Sequence, residues 1–194
     1  ALTNREDWSA RMRVMSMYGI SDARRIWARY APKGSWVYDV AELGFKYNMM
    51  DIQAALGLHQ LARLDGFIAR RRENAKVYFD LLGGLDQVRL PVQEDYAASA
   101  WHLFPILLNS ARLKIDRDAF IEALKALNIG TSVLFIPLHL HSHYQQTLGY
   151  GEGSFPVAAD LFRRVVNLPL SQAVTAETIA RIARTAADLL ELAS

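Results

Sequence analysis

Three groups of side chains in this 194-residue chain could do chemistry by their types and spacing. The first is Lys46, Tyr47, Asn48 and Asp51, within GFKYNMMDIQ at positions 44–53. Asn48 stands three residues before Asp51, the spacing of a capping-box-like helix start. Two readings are open. The polar residues simply begin a helix, or the free N–H groups at its N-terminus take a phosphate, with Lys46 adding to the positive field. The second group is His139, His141 and His143 in LHLHSHY. On an extended segment alternate residues face one side, and three imidazoles on one side could hold zinc. No carboxylate nearer than Glu152 completes a set, so solvent-exposed loop histidines, and no metal site, are expected. One histidine of this loop could instead meet a substrate hydroxyl or donate a proton. The third group is two isolated residues. His102, in a strand pattern, reads as a hydrogen-bonded structural histidine, and His59, within a long helix, as structural or interfacial.

Composition narrows the class. Lys plus Arg number 22 against 20 for Asp plus Glu, which gives no electrostatic case for a nucleic-acid partner. There is no cysteine, hence no disulfide frame, thiolate metal site or cysteine nucleophile. Half the residues are hydrophobic, as in an ordinary globular chain. No apolar run approaches bilayer length, so no membrane partner is expected. The chain opens without a secretory signal pattern and without Met, which reads as a fragment of a longer chain. No nucleophile elbow, dinucleotide fingerprint or P-loop is present.

The elements that must position these residues follow from periodicity. Asn4 is the expected N-cap of a helix running to about Tyr18 and stopped by Gly19. No period is sustained from Ile20 to Leu43, where Trp27, Trp36 and Tyr38 suggest a functional or interfacial loop. A long helix is expected over 49–82, ended by Gly83-Gly84, with Arg70, Arg71 and Arg72 as a solvated face. Trp101–Leu108 reads as a strand, with Pro105 arguing for an edge or a bulge. Asp116 caps a helix that Gly130 closes. Thr131–Ile136 reads as a strand, Pro137–Gly153 as a loop, Pro156 as a helix start and Val165–Leu168 as a strand. Thr175 caps a last helix, about Ala176–Leu190. This order suggests helices layered on a small sheet.

Several linked segments carry a resemblance. ELGFKYNMMDIQAALGLHQLARLDGFIARRRENAKVY is similar to a hallmark of the DegT/DnrJ/EryC1/StrS family, commonly LGYKYNMTDIQAALGLAQL followed by RLDEFIARRREIA. AWHLFPILL, ALKALNIGTSVLFIPLHLHSHY and FPVAADLFRRVVNLPL then follow in the family's order, so nearly the whole chain is covered. The family comprises aminotransferases that use pyridoxal 5′-phosphate to act on nucleotide-linked keto sugars. The resemblance implies an α/β and α+β chain of PLP-dependent transferase fold type I, represented by the end of the large domain plus the small C-terminal α+β domain. The implied domains are 1–48, the end of the large domain and an interface loop; 49–82, the connecting helix; and 83–194, the small domain.

The family's Schiff-base lysine is expected just upstream of Ala1, so no catalytic residue is expected in this chain, and Lys33 and Lys46 are not substitutes. Asn48 matches a position that reaches the cofactor phosphate of the partner subunit in a homodimer with shared active sites. His139, Lys46 and Tyr47 are the expected substrate-facing residues. Leu134, where the family often has His or another polar residue, and Ser142-His143, where it often has Pro-Tyr, depart from the pattern. The implied function is amino transfer, with glutamate as expected donor, in cytoplasmic aminosugar or polysaccharide biosynthesis. Two alternatives stay open: a PMP-dependent sugar dehydratase, if histidine replaces the lysine, and a non-catalytic binding or dimerisation fragment.

Overall fold

The computed structural model describes residues 2–20 and 40–194, and the reading of Trp27, Trp36 and Tyr38 as an interfacial loop lies outside them. The chain divides into two compact units, Ala1–Ala62 and Arg63–Ser194. This single division falls at neither boundary expected from the sequence, 48/49 or 82/83.

In the first unit, α1 spans Glu6–Ser16. Its N-cap is Arg5, not Asn4. The Arg5 guanidinium pairs with Asp7 at 2.6 Å and lies 4.4 Å over the Trp8 ring, and the backbone N–H of Arg5 donates to Thr3 Oγ1 at 3.2 Å. These contacts with the first turn fix the start without a side-chain cap. Tyr18 and Gly19, at φ 58° and 73°, turn the chain out of the helix. The second helix, α2, spans Asp51–Leu61.

The second unit opens with α3, Leu64–Leu82. The one long helix expected over 49–82 is therefore two helices with a turn at Ala62 and Arg63. Both turn residues keep right-handed backbone angles, φ −60°, ψ −20° and φ −101°, ψ −4°. The apolar spacing runs on through such a turn, so periodicity alone could not see it.

Three short strands follow: β1 Val88–Arg89, β2 Phe104–Leu108 and β3 Val165–Leu168. They form an antiparallel sheet in the order β1-β2-β3, with Val88 opposite Leu108 and Ile106 opposite Val166. Pro105 thus sits in the central strand, against expectation. It is tolerated because β1 reaches only as far as Leu107, leaving no ladder partner on that side. Between β2 and β3 lie α4 Arg117–Ala126, α5 Ser142–Leu148 and α6 Pro156–Arg164; α7, Ala176–Leu192, closes the chain. Asp116 and Thr175 cap α4 and α7 as their sequences imply, accepting from Ala119 N and Thr178 N at 2.8 and 3.3 Å. Asn128 rather than Gly130 makes the reversal after α4, with φ 58°, a conformation asparagine tolerates better than most residues.

The expected strand at Thr131–Ile136 does not form. Only Ser132 pairs, through a single bridge to Asn167, and Phe135 is 86% exposed. Its apolar content made it look like a core strand, but no neighbour continues the ladder.

Alternation in β2 turns Phe104, Ile106 and Leu108 inward, where they meet Tyr78 and Leu82 of α3 and Ile179, Ala183 and Ala186 of α7. The arginine cluster is not merely a solvated face. Arg71, Asn74 and Tyr78, at helical spacing, grip the loop after β3. Arg71 donates to Gln172 Oε1 at 3.1 Å, Asn74 Nδ2 to the Ser171 and Val174 carbonyls at 3.3 and 3.1 Å, and the Tyr78 hydroxyl to the Pro169 carbonyl at 2.7 Å. Arg72 reaches another loop, donating from Nε to the Ser99 carbonyl at 2.9 Å. Burial pushes the Tyr78 phenol well above its ordinary pKa, so it stays a donor across the physiological range.

These contacts set two expected losses in urea unfolding. Phe104→Ala removes a fully buried ring and should cost about 3–5 kcal/mol. Tyr78→Phe keeps the ring but strands the Pro169 carbonyl, and should cost about 1–2 kcal/mol. Equal losses would contradict this division between packing and hydrogen bonding.

Candidate functional site

The candidate site in the first unit is built on backbone pairing. Segment 41–47 lies against the end of α1. Phe45 N donates to the Met15 carbonyl at 2.6 Å, Tyr18 N to Phe45 O at 2.9 Å, and Tyr47 N to Ser16 O at 2.8 Å. Met17 and Lys46 form an antiparallel bridge. Two glycines permit this approach. A Cβ on Gly44 would sit 2.0 Å from Gly19 N, and one on Gly19 would sit 1.7 Å from Glu42 O. Gly19 also needs its positive φ.

Extended pairing sets the side chains that follow. Phe45 and Tyr47, two residues apart, stack at 5.1 Å with rings 7° from parallel. Both are exposed. With Ser9, Met12 and Arg13 of α1 they line an open pocket of about 620 Å³. Lys46 Nζ lies 4.7 Å over the Tyr18 ring and pairs with no carboxylate among the described residues. Sequence reasoning missed Tyr18, Arg13 and the glycine pair. The only available signal was the glycines themselves, one after the first helix and one opening the polar stretch.

Asn48 is not the helix cap expected from its spacing. The N-cap is Met50, whose N–H donates to Gln53 Oε1 at 3.0 Å. A side chain at the third helical position has taken the capping role, leaving Asn48 two residues outside. One N–H at this end is thus occupied, and the Asp51 carboxylate in the first turn offsets the helix dipole. An anion near here would meet Lys46 and Asn48 rather than the helix end. Asn48 Oδ1 is buried without a hydrogen-bond partner, so the carbonyl end of the amide points inward. No described residue accepts from Nδ2, the end suited to an external acceptor. These residues fit a phosphate group in donor chemistry: one cation and one amide N–H.

The histidines do not assemble. His139 lies in the second unit, in a short 3₁₀ turn over Leu138–Leu140. It is 5% exposed, with Nε2 buried and unpartnered and the ring 5.0 Å from Phe155. It is therefore a core residue of that segment in this chain, not a solvent-facing loop histidine. The segment is not extended, since α5 starts at Ser142, and alternation no longer aligns the imidazoles. His141 and His143 are exposed while His139 is buried. No group of three or more potential metal ligands gathers among the described residues. His102 and His59 are exposed. His102 makes no hydrogen bond to a described residue, contrary to its reading as a bonded structural histidine.

Comparison with known proteins places this geometry. The model of the DegT/DnrJ/EryC1/StrS aminotransferase family matches residues 1–186. An uncharacterized protein of Methanocaldococcus jannaschii is 44% identical over 177 residues, 91% of this chain and 45% of that protein. The spore coat polysaccharide biosynthesis protein SpsC of Bacillus subtilis is 38% identical over 190 residues, 97% of this chain and 48% of SpsC. The PLP form of the putative sugar aminotransferase Spr1654 from Streptococcus pneumoniae superposes with a TM-score of 0.82 at 26% identity, over 100% of this chain and 46% of that one. The chain thus spans about half the length of the relatives it matches, and its mixed helices and small sheet have the fold of the matching part of that putative sugar aminotransferase.

The glycine pair yields a sharp expectation. Gly44→Ala should lower hydrogen-exchange protection of the Tyr18, Phe45 and Tyr47 amides about tenfold or more. Gly57→Ala has open space around its Cβ and should leave that protection intact. Unchanged protection in Gly44→Ala would show that the close approach does not hold the segment.

Proposed function

The chain belongs to the DegT/DnrJ/EryC1/StrS aminotransferase family, and from that premise we propose that it is the C-terminal part of a pyridoxal phosphate-dependent sugar aminotransferase. The observation that carries the proposal is the family match across residues 1–186, joined by 38% identity to a polysaccharide biosynthesis protein. The substrate is a nucleotide-linked keto sugar, the donor an amino acid such as glutamate, and the setting cytoplasmic aminosugar or polysaccharide synthesis. Among the described residues no helix is long and apolar enough to cross a membrane.

Pyridoxal phosphate, when bound, supplies the electron sink for amino transfer. In this reading no lysine of these 194 residues is the Schiff-base lysine. This chain's contribution is binding and orientation. Asn48, through its Nδ2, and Lys46, through its charge, are the residues of this chain that would hold the phosphate of a cofactor bound by a partner subunit. Tyr47 presents its exposed ring to the substrate. His139, being buried, would act on the substrate only indirectly, through its contact with Phe155.

The homodimer has a physical argument of its own. No residue of α2 is buried, although Ile52, Leu56, Leu58 and Leu61 are 62–75% exposed. A helix this apolar on all sides belongs inside a larger body. A second copy is the proposed cover, which would bring the adjoining Asn48 to the partner's cofactor.

Three measurements on the full-length protein test this. Glutamate and a nucleotide-linked keto sugar should give 2-oxoglutarate and an amino sugar; no turnover across a panel of such sugars would overturn the reading. Asn48→Ala should weaken cofactor retention about tenfold, the scale of one hydrogen bond to a charged group. Leu56→Glu should shift the protein to monomer in analytical ultracentrifugation; a dimer that persists unchanged would remove α2 from the interface.

A further inference from the structure

Tyr18 is an unexpected residue for the turn it makes. It takes φ 58°, a left-handed conformation that a bulky side chain rarely adopts and that glycine or asparagine takes at lower cost. Such conformations persist where surrounding contacts over-determine them. Here the backbone does so. The Tyr18 N–H donates to the Phe45 carbonyl at 2.9 Å, and Met17 bridges to Lys46. This pairing accounts for the turn but not for an aromatic ring at its corner.

The ring meets Lys46. Nζ lies 4.7 Å over its centroid and 3.8 Å from Met17 Sδ. Both Tyr18 and Lys46 are exposed, and a long ammonium side chain in that setting otherwise spreads over many rotamers. The ring and the thioether narrow that spread without cancelling the charge. An aromatic face attracts the ammonium through its quadrupole and carries no net negative charge. A carboxylate in the same place would compete with any incoming anion. Glu42, the carboxylate nearest in this segment, is engaged by Arg11 Nε at 3.3 Å, and Lys46 pairs with none among the described residues. Ordering the lysine beforehand removes part of the entropy cost of binding an anion. Lys46 stands two residues before Asn48, and on extended backbone residues two apart share a side, as the stacked Phe45 and Tyr47 do.

We infer that Tyr18 is a positioning residue: its ring holds the Lys46 ammonium in place, and still fully charged, for the phosphate that Lys46 and Asn48 are proposed to meet. The inference rests on that cofactor reading of the two residues, and its test separates the two.

The test uses the full-length protein with three variants at this position. Tyr18→Phe keeps the ring, Tyr18→Leu keeps only apolar bulk, and Tyr18→Asn suits the turn best. The first readout is NMR of ¹³C-labelled lysine, with the Lys46 signal assigned through Lys46→Arg. Its ε-methylene should show an upfield ring-current shift that Tyr18→Phe retains and the other two lose. The second is equilibrium binding of pyridoxal 5′-phosphate and of pyridoxal, which lacks the phosphate, to the apoprotein. Tyr18→Leu and Tyr18→Asn should weaken the phosphate form about two- to fivefold and leave pyridoxal unchanged. In Lys46→Ala, the same changes at Tyr18 should cost nothing further. The third is hydrogen exchange, where protection of the Phe45 and Tyr47 amides should persist in Tyr18→Asn. No ring-current shift in the wild type would overturn the inference. So would weakened pyridoxal binding, or protection lost in both Tyr18→Leu and Tyr18→Asn, which would make the ring a prop for the turn. Equal affinity of wild type and Lys46→Ala for pyridoxal 5′-phosphate would refute the cofactor reading of Lys46, and the purpose given to Tyr18 with it, even with the ring-current shift intact.

Discussion

Phe104 is where the backbone order and the core packing of the second unit meet. Its ring stacks on Tyr78 at 4.7 Å and lies 5.3 Å from Phe79 and 5.6 Å from Trp101. Its N–H donates to Asn167 Oδ1 at 2.9 Å, and Asn167 in turn holds Ser132 through backbone and side chain. One residue thus couples α3, the loop before β2, β3 and the segment after α4. Aromatic pairs of this kind contribute about 0.5–1.5 kcal/mol each beyond burial. The polar bonds add order rather than much net energy, because a buried amide costs more unpaired than it gains paired.

The first unit depends on a different constraint, the absence of two side chains. Gly19 and Gly44 let two backbone segments approach closer than any Cβ allows. The hydrogen bonds formed there set the register of residues 44–47 against α1. That register puts Phe45 and Tyr47 on one side and Lys46 over Tyr18. Residues 44–47 are therefore positioned by backbone pairing rather than by their own side chains.

Both units expose apolar surface that an isolated body would bury. In the first it is α2. In the second it is a groove of about 820 Å³ on the outer face of the sheet, lined by Leu107, Leu134, Phe135, Val157 and Leu161. The chain spans about half the length of the relatives it matches.

The sequence by itself determined the family, the caps at Asp116 and Thr175, the helices α1, α4, α6 and α7 to within a few residues, and the strands β2 and β3. Caps, stops and periodic faces are local, so they survive in a one-dimensional reading. The tertiary structure alone decided what depends on contacts distant in sequence. It buried His139 while exposing His141 and His143, and turned Arg71 and Arg72 toward two different loops. It also let Pro105 into a central strand by stopping β1 short. In each case residue type and spacing allowed several outcomes, and the choice lay with whichever partner the fold brought within hydrogen-bond or van der Waals reach.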